Sequence, residues 1–276
     1  MTTLRPILDE AESRRAYAVG LVCLGWEDAV AYVRAGEAAG VPVILQAGPG
    51  ARRHIPIAVW GAMFRALGEA ATVNVAAHLD HGSHLDECHA ALDAGFTSVM
   101  YDGSQLSLAE NIQETGKMIA LAERYGASTE AEIGYVGYAD GAASEGTDPS
   151  EAAQFYADAP TDCLAVSAGN VHLQMEQAAR LDFDMLEILN AQVPCPLVLH
   201  GGSGVAQADR RRAAREHRVR KINLGTELRQ VHGRALRQVL TANPDIFDRI
   251  QIQTPVSAAI EAAARDVLTL AWEAAS

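Results

Sequence analysis

VNVAAHLDHGSHLDECHAALDAGFTSVMYDGSQLSLAENIQETGKMIALAERYGASTEAEIG (73–134) is the stretch on which the fold turns. Three short apolar runs, VNVAAHLD (73–80), TSVMYD (97–102) and STEAEIG (128–134), alternate in it with two helical patterns. The runs have strand length, are bounded by Gly and polar residues, and are too apolar for a sheet wetted on one side. They read as strands buried on both faces of a parallel sheet. The second helical pattern, 108–126, has apolar positions three and four apart and Gly126 as its stop.

The same alternation continues outward in both directions. AYAVGLVCL (16–24), VPVIL (41–45), CLAVSAG (163–169), CPLVLHG (195–201) and VRKINLG (219–225) bring the strands to eight. Candidate helices at 27–39, 54–70, 84–94, 108–125, 149–157, 182–191, 206–216 and 226–241 separate and follow them. Eight strand–helix units in about 250 residues is the arithmetic of a (β/α)8 TIM barrel. A doubly wound open sheet would want a Gly-x-Gly-x-x-Gly turn after the first strand, and none is there. Two segments lie outside the alternation. GYVGYADGAASEGT (134–147) is a long Gly- and Ala-rich loop of the kind that is usually functional. VSAAIEAAARDVLTLAWEA (256–274) reads as an extra C-terminal helix packed on the barrel or on a neighbouring subunit. No repeat or composition break divides the chain, so one domain spanning 1–276 is expected.

Composition bounds the partners. Against 22 Lys and Arg stand 35 Asp and Glu, a net charge of −13 among 276 residues. That field repels extended polyanions, which argues against nucleic acid and acidic membrane faces. With 49% hydrophobic and 21% charged residues the chain has material for a core. No apolar run reaches the roughly 18 to 20 residues of a membrane span. MTTLRPILDEAESRR meets acidic residues before any hydrophobic stretch and is not read as a signal peptide. Four scattered cysteines without a C-x-x-C fit a reducing compartment, so a cytoplasmic protein is expected.

Polar residues cluster where the strands end, which in such a barrel is where active sites are built. Strand three ends in His78-Leu79-Asp80-His81-Gly82 and strand four in Tyr101-Asp102-Gly103-Ser104. Strand five carries Glu130 and Glu132, strand six leads to His172, and strand seven ends at His200. Three imidazoles from three strand ends, with one position open, is the arrangement of a catalytic zinc site. Asp80 sits beside His81, so one faces the metal and the other the substrate. Asp102 and Glu132 orient ligand imidazoles or hold a second cation, divalent or monovalent. Of the remaining histidines, His84, His89, His217 and His232 read as surface residues. His54 is a candidate anion contact, and His78 a neighbour of the site rather than a ligand. Gly201, Gly202 and Ser203, with the NLGT turn of Asn223, Leu224, Gly225 and Thr226, offer backbone N–H groups and helix starts after strands seven and eight. Those loops are the usual phosphate cradle of this barrel.

HLDHG (78–82), MYDGS (100–104), EAEIG (130–134), TDP (147–149), SAGNVH (167–172), LVLHGGSGV (197–205) and KINLGTEL (221–228), in this order, resemble the class II, metal-dependent ketose-bisphosphate aldolases. The resemblance spans roughly 5 to 240. It implies zinc ligation by His81, His172 and His200, and Asp80 as the catalytic acid/base. Asp102 and Glu132 would stand near the metal as alternate or second-site ligands. Gly201, Gly202, Ser203 and the stretch 223–226 would bind the phosphate of dihydroxyacetone phosphate. It also implies a homodimer or homotetramer. The chemistry is coherent: aldol cleavage needs an electron sink, which Zn²⁺ provides, and a carboxylate to carry a proton. The two lysines, Lys117 and Lys221, leave a Schiff-base route open by count alone.

Several positions depart from the family pattern. Leu173 stands where members usually carry Gly, so the phosphate cradle is expected to be altered. Cys23 and Trp26 replace amide side chains at the end of strand one, and QAGPG (46–50) replaces a loop with Ser or Thr. A bulky Trp26 suggests a different or less polar aldehyde partner. The leading reading is a zinc-dependent aldolase releasing dihydroxyacetone phosphate and an aldehyde from a ketose phosphate. The competing ones are a zinc barrel acting on a non-sugar or non-phosphorylated aldol substrate, a zinc hydrolase, and a non-catalytic metabolite-binding barrel. A hydrolase would normally want His-x-His on the first strand, and Asp80 has no use in a binding relic.

Overall fold

The eight apolar runs pair in chain order into a closed parallel barrel. Its strands are β1 (Ala18–Val22), β2 (Val43–Ala47), β3 (Val75–Gly82), β4 (Ser98–Tyr101), β5 (Ser128–Ile133), β6 (Cys163–Val166), β7 (Leu197–Leu199) and β8 (Val219–Leu224). β8 closes on β1, with Ala18 opposite Lys221 and Leu21 opposite Leu224. The computed structural model describes residues 1–137, 141 and 143–273. β2, β5, β7 and β8 are buried at every position, as expected of strands with side chains facing both the barrel interior and the helical layer.

Outside the strands lie α2 (Trp26–Ala39), α4 (Ile57–Ala70), α5 (Leu85–Asp93), α6 (Leu108–Tyr125), α7 (Pro149–Asp158), α8 (Phe183–Gln192), α9 (Gln207–Glu216) and α10 (Thr226–Ala242). Their starts follow local chemistry. Ser107 and Glu110 form a reciprocal capping box at α6. Asp148 caps α7, whose first residue is Pro149, and Asp182 caps α8.

Two helices were not foreseen. α1 (Leu4–Arg14) buries Leu4, Ile7, Leu8 and Ala11, three and four apart, and packs against β1, β5 and β8. Its Arg5 backbone N–H donates to Ser128 Oγ at the start of β5. Glu12 pairs with Arg220 at the start of β8, so α1 covers the end of the barrel opposite the polar strand ends. The other, α3 (Pro49–His54), precedes the expected helix at 54–70: it stops at Ile55, which precedes Pro56 and is extended, and the expected helix begins afresh as α4 at Ile57.

The C-terminal helix, α11 (Arg249–Trp272), begins earlier than the expected 256. Asp248 caps the helix on Ile250 and Gln251, and the chain carries Pro255 within the helix. Val256, Ile260, Ala264, Leu268, Ala271 and Trp272 form its buried stripe against α2 and α10 of the same chain. His217 is buried rather than superficial. It follows α9, its ring packs 5.7 Å from Phe183, and its Nδ1 is 3.2 Å from Glu187. Among the described residues no helix is long and apolar enough to cross a membrane.

Candidate active site

Asp80 and His81 share one end of the barrel because β3 is irregular. Leu79 pairs with Val99 and Gly82 with Tyr101, so Asp80 and His81 together oppose the single residue Met100. Without this bulge, strict alternation would send the two side chains to opposite faces. His81 adopts φ 52°, a left-handed conformation costing a side-chain-bearing residue roughly 1–2 kcal/mol.

His200 follows β7 directly. His172 lies six residues beyond the end of β6 and is placed by its surroundings. Its backbone N–H donates to Gly137 O (2.8 Å), so the loop after β5 holds it. That loop is closed at its base by Tyr135 and Glu145, which exchange backbone bonds of 2.9 and 2.8 Å; positions 138–140 and 142 of the long 134–147 segment lie outside the described residues. Asn170, fully buried, accepts from the Ala168 N–H (2.8 Å) and donates to the carbonyl of His200 (3.0 Å), tying the two histidine segments together.

The three imidazoles converge. Ring centroids are 4.5 Å apart for His81 and His200, 5.3 Å for His81 and His172, and 5.7 Å for His172 and His200. One ring nitrogen of each lies within 4.8 Å of the others, and His81, Asp102 and Glu132 form a second such group. His81 Nδ1 is 2.6 Å from Asp102 Oδ2, which leaves its Nε2 buried with no hydrogen bond. His200 bonds Glu130 Oε1 through Nε2 (3.0 Å). Its Nδ1 is 3.3 Å from Glu132 Oε2 in a geometry that makes no hydrogen bond, and is likewise left over. Leaving buried nitrogens unsatisfied is costly unless something accepts their lone pairs. Carboxylates behind, lone pairs converging in front and no thiolate make a donor set that fits a divalent cation with zinc's preference for imidazole.

The carboxylates and neighbouring rings set the charge of each group unequally. Burial, reinforced by the charges of His81 and His200, lowers His172 to about 3. Burial also opposes protonation of His200, but its hydrogen bond to Glu130 and the Glu132 carboxylate outweigh this and raise it to about 10. Asp80 resists burial through the charges of His81 and His200, and its carboxyl is held below the usual range. Asp102 is likewise held low, its hydrogen bond to His81 overcoming desolvation.

Beneath the histidines is a polar cluster whose members open the quoted motifs but were not expected to meet. Glu130 is fully buried and accepts from Lys221 Nζ (2.8 Å) as well as from His200. His78, bonded to Ser98 Oγ through Nδ1 (2.8 Å), brings its Nε2 to 3.5 Å from the same carboxylate. Despite burial, Lys221 and then His78 hold Glu130 well below its ordinary value. His78 thus stands beside the site, outside both groups able to hold a metal ion among the described residues. The signal that could have found the cluster is alternation: Glu130 and Glu132 stand two apart on one strand and share a face.

A cavity of about 430 Å³ opens over the histidines. It is lined by Asp80, His81, His172, Gly201, Ser203, Asn223, Gly225 and Thr226 among the expected residues. Asn223 Nδ2 donates to Asp80 Oδ1 (3.1 Å), and Ser203 Oγ accepts from the backbone of Gly225 and Glu227, both at 3.3 Å. Gly201 (φ 63°) has no room for a side chain: a Cβ would lie 2.2 Å from Val171 O. Gly202 and Leu224 do not line the cavity. Gly202 packs its backbone against Ile222, and Leu224 is buried in the barrel wall. Glu132 lies deeper, and Asp102 faces an adjoining recess with Arg52 and Arg53.

Trp26 does not form the cavity wall. It is 53% exposed and sits in a separate groove with Arg249 and Ile250 of α11. Cys23 is buried, and the end of β1 and the turn after it present Val22 and Leu24 instead. His54 is exposed, and its neighbour Arg53 reaches the cavity in its place.

Leu173 also lines the cavity, at φ 58°. The left-handed cost of about 1–2 kcal/mol exceeds the roughly 0.5–1 kcal/mol by which glycine loosens the unfolded chain. Leu173→Gly is therefore expected to raise the melting temperature by a few degrees, measured by thermal unfolding. A lower value would show that the Leu173 side chain makes compensating contacts.

Comparison with known proteins places the chain. The family model described as "Fructose-bisphosphate aldolase class-II" matches residues 2–274. The fructose-bisphosphate aldolase of Geobacillus stearothermophilus is 36% identical over 272 residues, covering 95% of this chain and 93% of that one. The 6-phospho-5-dehydro-2-deoxy-D-gluconate aldolase of Halalkalibacterium halodurans is 40% identical over 192 residues, covering 68% and 66%. Among solved structures, the YdjI aldolase from Escherichia coli K12 superposes with a TM-score of 0.84 at 29% identity, covering 98% of this chain and 96% of that one.

Proposed function

Because the chain belongs to the class-II fructose-bisphosphate aldolase family and is therefore an aldolase, a carbon–carbon lyase, we propose that it cleaves a ketose phosphate reversibly to dihydroxyacetone phosphate and an aldehyde, with zinc as its metal. The observation that carries this reading is the convergence of His81, His172 and His200 beside Asp80. The three histidines would hold the cation, which when bound supplies the electron sink for the broken carbon–carbon bond. Asp102 fixes the His81 ring and Glu130 the His200 ring, so each offers its other nitrogen to the metal.

Asp80 carries the proton. Held ionised by its surroundings and steadied by Asn223, it takes the proton of the C4 hydroxyl as the C3–C4 bond opens. The C4 carbon leaves as the aldehyde, and the electron pair stays on the three-carbon fragment until C3 is protonated. The phosphate of that fragment rests on Gly201, Ser203, Gly225 and Thr226, at the N-terminus of α10. One domain spanning the chain, working in the cytoplasm as a homodimer or homotetramer, completes the reading.

The aldehyde half meets a different wall from the one Trp26 suggested. Arg53 and Arg229 both line the cavity, and among the described residues neither has an ion pair. In a chain of net charge −13, unpaired guanidinium groups at the site favour a substrate with a second anionic group. Both substrate names among the relatives fit that description: a bisphosphate, and a phosphorylated sugar acid. Arg53→Gln is expected to raise the half-saturating concentration of such a substrate about 10-fold, the worth of one charge-assisted hydrogen bond. Proton exchange of dihydroxyacetone phosphate alone should stay unchanged. Equal loss on both would place Arg53 at the phosphate end.

The reading as a whole is tested with dihydroxyacetone phosphate in heavy water, following C3–H exchange by NMR with and without a chelator. Metal-dependent exchange is expected whatever the aldehyde. Its absence with zinc bound would overturn the assignment.

A further inference from the structure

The bulge that sets Asp80 beside His81 has a dedicated support, contributed by the loop after β2. The side chain of Arg52, on α3, is only 6% exposed, and each of its three guanidinium nitrogens is engaged. Nη1 donates to Ala47 O at the end of β2 and to Asp80 O, each at 2.6 Å. Nη2 donates to His81 O at 2.9 Å, and Nε to Glu87 Oε1 on α5 at 2.7 Å. The other oxygen of Glu87 accepts from the Ser83 N–H (3.1 Å), so the ion pair grips the bulge from both sides. Meanwhile the His81 N–H has lost its sheet partner and points at Met100 Sδ (3.4 Å).

A left-handed, side-chain-bearing residue in a bulge persists only when its surroundings over-determine it. Here the over-determination comes from one planar five-donor group that reads two successive carbonyls at once, which a point charge such as an ammonium cannot copy. We propose that Arg52 is a positioning residue: with Glu87 it locks the Asp80–His81 backbone, and so sets both the affinity for the metal and the placement of the proton-carrying carboxylate. The inference rests on the metal-dependent reading for its catalytic consequence but not for its structural one.

The test is made on the full chain. Arg52→Met is expected to weaken zinc affinity about 10- to 100-fold, measured by competition with a chelating dye, as loss of a group supporting metal ligands typically does. The visible spectrum of the cobalt-substituted protein should change, and amide hydrogen exchange over residues 79–83 should accelerate. The maximal rate of dihydroxyacetone phosphate exchange should fall, while its half-saturating concentration stays within about twofold, because the phosphate loops lie after β7 and β8. Arg52→Lys should recover only part of each effect. If Arg52→Met fails to fold, Glu87→Gln is read instead, with loss at the lower end, about tenfold. Wild-type zinc affinity and wild-type protection of 79–83 in a folded Arg52 variant would overturn the proposal. So would an effect confined to global melting, with the cobalt spectrum unaltered. If the wild type shows no metal-dependent exchange, the functional reading fails, yet the amide-exchange arm still decides the role of Arg52.

Discussion

Asp80→Ala is expected to lower turnover about 10²- to 10⁴-fold, the worth of a positioned acid/base, while the zinc content of the purified protein stays near that of the wild type. Asp80 and His81 occupy the same bulge but divide its work. Among the described residues the groups able to hold a cation are His81, His172 and His200, or His81, Asp102 and Glu132, and Asp80 belongs to neither. Its Oδ1 is taken by Asn223, and its Oδ2 lies where a side chain on Gly48 would meet it at 3.2 Å, toward the cavity. Removing the carboxylate therefore takes away the proton acceptor without taking away a ligand. Asp80→Asn sharpens the point, since the amide oxygen still accepts from Asn223 but carries no proton at neutral pH. Both variants should retain cobalt spectra like the wild type's and lose C3–H exchange of dihydroxyacetone phosphate. If zinc leaves together with activity, the division of labour between Asp80 and His81 is wrong.

The barrel could be read from the chain because parallel strands buried on both faces leave continuous apolar runs, and all eight were placed in the order observed. His81 and His200 were legible for a related reason, standing directly at strand ends. His172 was legible only as part of a motif. Its position depends on Asn170 and Gly137, and the contact with Gly137 spans 35 residues in a way periodicity does not encode. Long-range polar contacts were the main omission. Nothing local marks Arg52 as the partner of Asp80 and His81, nor Lys221 as that of Glu130, because each pair is assembled by closing the barrel. Trp26 failed in the opposite sense: two residues beyond the expected strand end it was given a cavity wall, but as the first residue of α2 it turns outward. Gly202 and Leu224 stand inside motifs that face the site, yet alternation along β8 turns Leu224 into the wall, and Gly202, in a single 3-10 turn after β7, packs against Ile222.

Lys221→Met is expected to destabilise the protein by about 3–5 kcal/mol, the usual consequence of stranding one half of a buried ion pair. Lys221 is fully buried within the barrel, its Nζ 2.8 Å from an equally buried Glu130. The carboxylate left behind would keep His200 at 3.0 Å, the more distant His78 at 3.5 Å and the weak thiol donor of Cys163 at 3.6 Å. Since about 2–4 °C accompanies each kcal/mol at this chain length, the melting temperature should fall by about 10 °C. Replacing both partners, Lys221→Met with Glu130→Gln, should recover much of that loss, because no buried charge is then uncompensated. It should not recover zinc affinity in full, since His200 Nε2 then bonds a neutral amide and the ring is held less firmly. The same burial bears on the chemistry. A lysine that forms a Schiff base must reach the substrate carbonyl, but Lys221 points into the barrel interior and is absent from the cavity lining. Borohydride treatment in the presence of dihydroxyacetone phosphate is therefore expected to leave Lys221 unlabelled, as read by peptide mass. A stable adduct there would replace the metal route by a lysine one, and a Lys221→Met variant melting with the wild type would show that Glu130 is protonated rather than paired.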